Sequence, residues 1–291
     1  MPSLLDMRRR IKSVKNTQQI TKAMKMVAAA KLKRAQDRVT AARPFALKMN
    51  EVLSNLSGRV GDFSHPLLDE RGNENYLVVM VSADKGLCGG FNTNLMKTAQ
   101  NFMRENSGKQ FEMIPVGRKG RDFFRRRSVT IVEEYVGLTG AGRIEYAQVQ
   151  EIAQKVIKTF VEDEKIDKVF IVFSEFKSVL AQKPVVEQLL PVPRNLETAD
   201  EKDKAQAEYI YEQSPAEIFG RLLPKQIETQ IYRAILESIA SEQGARMTAM
   251  DSASKNAGDL IGSLTLNMNR IRQAAITKEI IEVVSGAAAA V

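Results

Sequence analysis

The residues best placed to do chemistry lie in one glycine-rich stretch, Val81-Ser82-Ala83-Asp84-Lys85-Gly86-Leu87-Cys88-Gly89-Gly90-Phe91-Asn92. It follows an apolar run of strand length and precedes a helical pattern. Loops of this kind cradle phosphate, because free amides and a helix dipole converge there. The details argue against that use. No Gly-Lys-Ser/Thr closes the loop as in a P-loop, and the glycine spacing is not the dinucleotide fingerprint. A tight structural turn is the stronger reading. Arg125-Arg126-Arg127 could also hold phosphate, but a solvated helix end favoured by the dipole accounts for it more simply.

The sequence holds one histidine, His65, and one cysteine, Cys88. No disulfide can form within the chain, which fits a reducing compartment. A His- or Cys-based metal site is excluded in practice. His65 sits in Phe63-Ser64-His65-Pro66, a turn-like stretch, and reads as an exposed loop residue rather than a catalytic base. No pair of carboxylates is framed by glycines in a cleft-like context. The sequence therefore shows no convincing catalytic apparatus, and it implies neither a cofactor nor a metal.

The elements that would position these residues fall into three regions. The first is a long helix from about Ser3, where Ser3 and Asp6 form a capping-box signal. Steps of three and four from Leu4 through Met7, Ile11 and Val14 to Leu53 and Leu56 meet an apolar residue at thirteen of sixteen positions. The exceptions are Gln18, Thr21 and Lys25. That is a coiled-coil seam. Pro44 should kink or break the helix.

The second region alternates strand and helix. Strands are expected at 76–82, 111–117, 129–136 and 168–176, with helices at 94–105, 118–126 and 145–162. This order calls for a mainly parallel sheet covered by helices, with 185–190 as an antiparallel edge. The stretch 195–208 is polar and acidic and reads as a linker.

The third region opens with Ser214-Pro215-Ala216-Glu217, a strong helix start, and stays helical until Gly286 stops it. Pro224 should bend it. The expected organisation is a coiled-coil helix over 1–58, an α/β domain over 76–192, an acidic linker and foot over 193–213, and a second coiled-coil helix over 214–291. The two terminal helices should pair antiparallel.

The formal charge is +8, and it is unevenly placed. The first fifty residues carry thirteen Lys/Arg and two acids, a net +11, which leaves −3 for the other 241. Such an arm implies an acidic partner. Nucleic acid is the alternative reading of the whole protein, but residues 1–44 lack the aromatics that stack bases, and the seam is too apolar to lie free. Near the other end Arg246, Lys255, Arg270, Arg272 and Lys278 flank an Ala/Leu/Ile seam. They read as a solvated face or as cationic contacts to a surrounding protein. No run reaches the ~18–20 apolar residues of a membrane span. The N-terminal arginines begin a helical pattern without a cleavage-like break, so no transit peptide is read.

Three stretches together resemble the gamma subunits of F-type ATP synthases. They are Ile11 to Lys31, with Met24-Lys25-Met26-Val27-Ala28-Ala29-Ala30; Asp84 to Asn92; and Ala245-Arg246-Met247-Thr248-Ala249-Met250 followed by Asn269-Arg270-Ile271-Arg272-Gln273-Ala274-Ala275-Ile276-Thr277-Lys278-Glu279-Ile280. The resemblance covers essentially the whole chain. It implies an α/β fold: a long antiparallel coiled coil of N- and C-terminal helices plus a Rossmann-like domain. It implies a non-catalytic rotor shaft, one per ring of three alpha and three beta subunits, joined at its foot to an epsilon subunit and a c-ring. Membrane contact would run only through the c-ring. No homo-oligomer, nucleic acid or cofactor is expected.

By the same resemblance Arg246, Arg272 and Gln273 match polar catches on beta. Met24 matches a coupling-sensitive position, and Thr277 and Glu279 lie in the same motif. Tyr209 and Glu212 match positions that meet epsilon and the c-ring. The paired cysteines of chloroplast gamma subunits are not seen beside Cys88, so thiol switching is not expected. The implied place is the cytoplasmic face of a bacterial inner membrane.

Overall fold

A computed structural model describes residues 3–60, 64–127, 129–140, 144–163, 165–193 and 214–289. It divides into two compact units. One holds residues 1–28 and 246–291, the other 29–245. The division falls inside the two terminal helices rather than at their ends.

Helix α1 spans Leu4–Val60 and α5 spans Pro215–Ala289. Both starts follow from the residues. The Ser3 hydroxyl accepts the Asp6 amide at 3.2 Å, while Asp6 Oδ2 accepts the Ser3 amide at 3.3 Å, so two orphan donors are satisfied reciprocally. Ser214 Oγ accepts the Glu217 amide at 3.3 Å, and Pro215 loses no bond at the first helical position. Neither proline breaks its helix, and the expected stop at Gly286 is absent: α1 runs through Pro44, and α5 through Pro224 and Gly286. A missing amide costs one bond of a long ladder, and packing on both sides of that position holds the helix.

The larger unit contains a five-stranded sheet of order β3-β2-β1-β4-β5. Its strands are β1 (Asn75–Val81), β2 (Gln110–Val116), β3 (Thr130–Ile131), β4 (Lys168–Phe176) and β5 (Gln182–Leu190). The first four run parallel, and β5 is the antiparallel edge beside β4. Helices α2 (Phe91–Glu105), α3 (Arg118–Phe124) and α4 (Tyr146–Glu162) make the crossovers. β1 is buried from Tyr76 to Val81, as a central parallel strand must be when both its faces are covered. One face packs Val78, Met80, Met113 and Val172 against Phe91, Leu95 and Ala99 of α2 and Phe124 of α3. β3 is far shorter than the expected 129–136. Only two of its residues pair with β2, and Tyr135 then rejoins the sheet as an isolated bridge to Val116.

Within this unit α5 passes through the core. Residues 234–244 are buried without exception. α1 lines it with Leu32, Ala35, Val39, Ala46, Met49 and Leu53, all on the expected seam and all buried. Arg43 of α1 acts electrostatically on the buried Glu237 of α5.

Candidate functional site

The start of the glycine-rich loop is tied into the protein, while Lys85, Leu87, Gly89 and Gly90 beyond it are exposed. Asp84, at its start, directs its carboxylate at four donors. Oδ1 accepts the amides of Arg118 (3.0 Å) and Gly137 (2.8 Å). Oδ2 accepts the Gly140 amide (2.8 Å) and the Thr139 hydroxyl (2.9 Å). Burial pushes this carboxyl up, but the four donors outweigh it and hold it below its ordinary value. The Arg118, Gly137 and Gly140 amides are thus spent on an internal carboxylate that pins the start of the loop. Ser82 closes the other side: its hydroxyl accepts the Gly120 amide at 2.8 Å and donates to the Gly117 carbonyl at 3.2 Å. A β-carbon on Gly117 would lie 2.1 Å from the Ser82 carbonyl oxygen, so glycine is required there. The loop itself uses positive φ at Leu87 and Gly89.

The crevice beyond the C-terminal ends of β1 and β4, where open parallel sheets bind ligands, is occupied. β4 continues past the end of β1, and its freed edge is taken by α5. The Ser174 amide donates to Ser238 Oγ at 3.0 Å, and the Phe176 amide donates to Glu237 Oε2 at 3.2 Å. A β-carbon on Gly244 would sit 3.4 Å from the Phe176 ring.

Two other sequence candidates resolve plainly. Arg127 lies 3.5 Å over the Phe123 ring and donates to the Phe123 carbonyl at 2.8 Å, so this arginine finishes the end of α3. His65 is half-buried rather than exposed. Its Nδ1 accepts the Leu67 amide at 3.2 Å inside a turn, and burial lowers its pKa. Among the described residues no three His, Cys, Asp or Glu side chains gather as a metal-holding group. No described helix is long and apolar enough to cross a membrane.

The smaller unit holds Met24 and Arg246 near one level and Arg272 to Glu279 more than twenty residues further along α5. α1 and α5 pair antiparallel there. Gln18 Nε2 donates to the Ser254 carbonyl (3.2 Å), the Thr21 and Ser254 hydroxyls share a 2.7 Å bond, and Lys25 Nζ meets Asp251 Oδ1 at 2.6 Å. As numbers rise on one helix they fall on the other. Met7, Thr21 and Ala28 are buried on α1, and Met250 and Ala257 on α5. The same register puts Leu4 opposite about residue 270, so the turns of α5 beyond lie past the start of α1. Their apolar residues are accordingly open: Ile276, Ile280, Ile281, Val283 and Val284 are each 49–71% exposed.

Four expected contact residues, Arg272, Gln273, Thr277 and Glu279, stand on that overhang and are all exposed. Thr277 Oγ1 is turned back to the Gln273 carbonyl at 2.9 Å. Lys278 pairs with Glu282 at 3.4 Å and Lys255 with Asp251 at 3.5 Å, as a solvated helix face does. Arg246 and Met24 are half-buried, and next to Met24 the side chains of Met26 and Val27 are exposed. Tyr209 and Glu212 lie outside the described residues. The sequence reading missed the contacts of Gln18, Thr21 and Lys25. The signal was present, since these three are the only polar positions of the seam.

Comparison with known proteins agrees along the whole length. A family model described as ATP synthase matches residues 3–290. A protein of Solibacter usitatus, named ATP synthase gamma chain, is 52% identical over 296 residues, covering all of both chains. One of Desulforamulus reducens with the same name is 54% identical and covers 99% of each. Among solved structures, a chain of the central stalk and c-ring of the Tetrahymena thermophila mitochondrial ATP synthase superposes with a TM-score of 0.62 at 28% identity. It covers 81% of this chain and 99% of that one. A chain of the Euglena gracilis mitochondrial enzyme superposes with a TM-score of 0.69 over 98% of this chain, at 19% identity.

Proposed function

This chain belongs to the ATP synthase gamma-chain family, and from that membership we propose that it is the central shaft of its complex, carrying no reacting group of its own. The observation that carries the reading is the overhang of α5. Beyond its pairing with α1 it presents exposed apolar side chains beside exposed Arg272, Gln273, Thr277 and Glu279. Large apolar residues left open on a single helix call for a surrounding protein surface.

The partners in this reading are three alpha and three beta subunits around one shaft, an epsilon subunit, and a c-ring through which alone the membrane is met. The solved Tetrahymena neighbour is itself a central stalk associated with a c-ring. Met24, Arg246, Arg272, Gln273, Thr277 and Glu279 are the contacts to beta, and Tyr209 and Glu212 belong to the foot. Identity is higher to the Solibacter and Desulforamulus chains than to the mitochondrial ones, which supports a place at the cytoplasmic face of a bacterial inner membrane.

The mechanism follows from symmetry. One shaft inside a ring of three like catalytic subunits cannot touch all three alike. Its unequal sides give each beta subunit a different set of contacts, and those differences shift each site between open and closed populations. Turning the shaft changes nucleotide affinity in sequence, and hydrolysis turns the shaft by reciprocity. The enclosed crevice at β1 and β4 fits this division of labour, because the nucleotide chemistry is then left to the ring. The test is assembly. The chain mixed with alpha and beta subunits should give a complex holding one copy per six. A complex with three copies, or saturable nucleotide binding by the isolated chain, would overturn the proposal.

A further inference from the structure

The seam of α1 is apolar above and below one short interval. Within it the three polar positions, Gln18, Thr21 and Lys25, are consecutive seam residues, and each has a partner on α5. The partner face repeats the spacing in reverse. Asp251, Ser254 and Gly258 are separated by three and four residues, as Gln18, Thr21 and Lys25 are. Gly258 completes the fit, since a β-carbon there would stand 3.1 Å from Gln18 Nε2.

Stability does not account for this girdle. Lys25 and Asp251 are 42% and 35% exposed, and ion pairs so open to water contribute little. A glycine inside a helix is destabilising relative to alanine. Apolar residues at these seam positions would hold the helices together at least as well. Direction accounts for it better. Contacts among Ala, Met and Val are non-directional, and a heptad seam slid by one repeat meets an equivalent seam. Polar partners are satisfied at one offset only. Any load that enters one helix and leaves by the other crosses the seam as axial shear, which the apolar contacts resist weakly.

We propose that Gln18, Thr21 and Lys25 with Asp251, Ser254 and Gly258 form a register lock, which holds the two helices at one axial offset and so keeps Arg272 and Gln273 at a fixed height relative to Met24. Its mechanical role rests on the shaft reading; the register itself does not.

The test uses the whole complex in lipid vesicles, with spin labels on cysteines introduced at the exposed Lys12 and Ser263 in a Cys88→Ala background. An apolar variant combines Gln18→Leu, Thr21→Val, Lys25→Leu, Asp251→Leu and Ser254→Ala. A swapped variant combines Lys25→Asp with Asp251→Lys. The parent and the swapped variant should show one narrow label distance and equal protons moved per ATP hydrolysed. The apolar variant should melt no lower than the parent, yet show a second, displaced population at these labels, its displacement limited because the seam residues Leu32 to Leu53 of α1 and residues 234–244 of α5 stay buried in the larger unit. Its coupling ratio should fall about twofold once displaced states reach half the population. A single parent-like distance in the apolar variant overturns the lock. A second distance with an unchanged ratio overturns its mechanical role. Should that variant not fold, Lys25→Asp alone sets like charges face to face and must broaden the distance or sink the proposal. Failure of the parent to assemble strikes the shaft reading instead and leaves the distance test standing.

Discussion

Ser241 of α5 donates its hydroxyl to the backbone carbonyl of Ser174 on β4 across 3.0 Å, while the Ser174 amide donates to Ser238 one helical turn earlier. Both polar groups of one strand residue are therefore satisfied by a helix rather than by another strand. α5 thus continues the sheet where β1 stops, and this fixes the long helix to the α/β unit.

Ser174, Ser238 and Ser241 are all at most 2% exposed, so truncation strands a buried polar group. Ser238→Ala and Ser241→Ala should each lower the unfolding free energy by about 1–3 kcal/mol. The double variant should fall short of their sum, because both serve one residue. Urea denaturation of the full chain measures this, with the exposed Ser263→Ala as control. Losses no larger than the control's would show that Ser174 is satisfied in another way.

Asp84 makes the second prediction. Its folded pKa is depressed, so its contribution is present above the unfolded value near 3.8 and is lost as pH falls through the folded value. Asp84→Asn replaces an acceptor-only group with one that points a donor at other donors. It should destabilise the chain by about 1–3 kcal/mol at neutral pH and flatten the acid limb of the stability curve. Thermal melts of both proteins from pH 7 to pH 3 would settle it. Parallel curves for the two would remove Asp84 from that role.

Glu237 behaves oppositely. Burial raises its pKa above 4.5 and outweighs the pull of Arg233 and Arg43, and Glu175 adds repulsion. A raised carboxyl contributes fully below its unfolded pKa and loses that contribution as pH rises through the folded one. Glutamine can still accept the Phe176 amide. The stability difference between Glu237→Gln and wild type should therefore shift in favour of glutamine between pH 4 and pH 7. Urea denaturation at the two pH values reads the shift directly, and an invariant difference would mean that the two arginines fully offset the burial.

Much of this architecture was legible from residues alone. β4 spans the expected 168–176, and α4 ends where expected and starts within one residue of the expected 145, capped by Glu145 with Gln148, whose Oε1 accepts the Glu145 amide at 3.2 Å. Local chemistry failed where the deciding partner is distant in sequence. Phe91 joins α2 because its ring is buried in the sheet core, so the helix starts before the expected Asn94. The turn reading of the glycine-rich stretch left Asp84 without a role, because its donors at residues 137–140 lie more than fifty positions on. Val132 to Glu134 look like strand, yet after Ile131 the ladder to β2 ends. At Pro44 and Pro224 the helices continue, because packing on either side outweighs one missing amide. The overhang of α5 was invisible too, because only the observed register reveals where α1 stops covering it.

That overhang carries the most direct test of function. The Arg272 and Gln273 side chains are exposed on turns that α1 does not reach, so Arg272→Ala with Gln273→Ala should move the unfolding free energy by no more than about 0.5 kcal/mol. Their value, in the shaft reading, lies in hydrogen bonds made to beta at particular angles. A bond to a charged group contributes about 1.5–3 kcal/mol, and about 1.4 kcal/mol is tenfold in a population. The double variant should therefore fold and assemble normally while proton-driven ATP synthesis in vesicles drops by about an order of magnitude. Lys278→Ala is the matched control, because Lys278 already spends its charge on Glu282 one turn away. Normal synthesis by the double variant would strip Arg272 and Gln273 of their role. An equal drop with Lys278→Ala would assign the effect to the net charge of the overhang rather than to directed contacts.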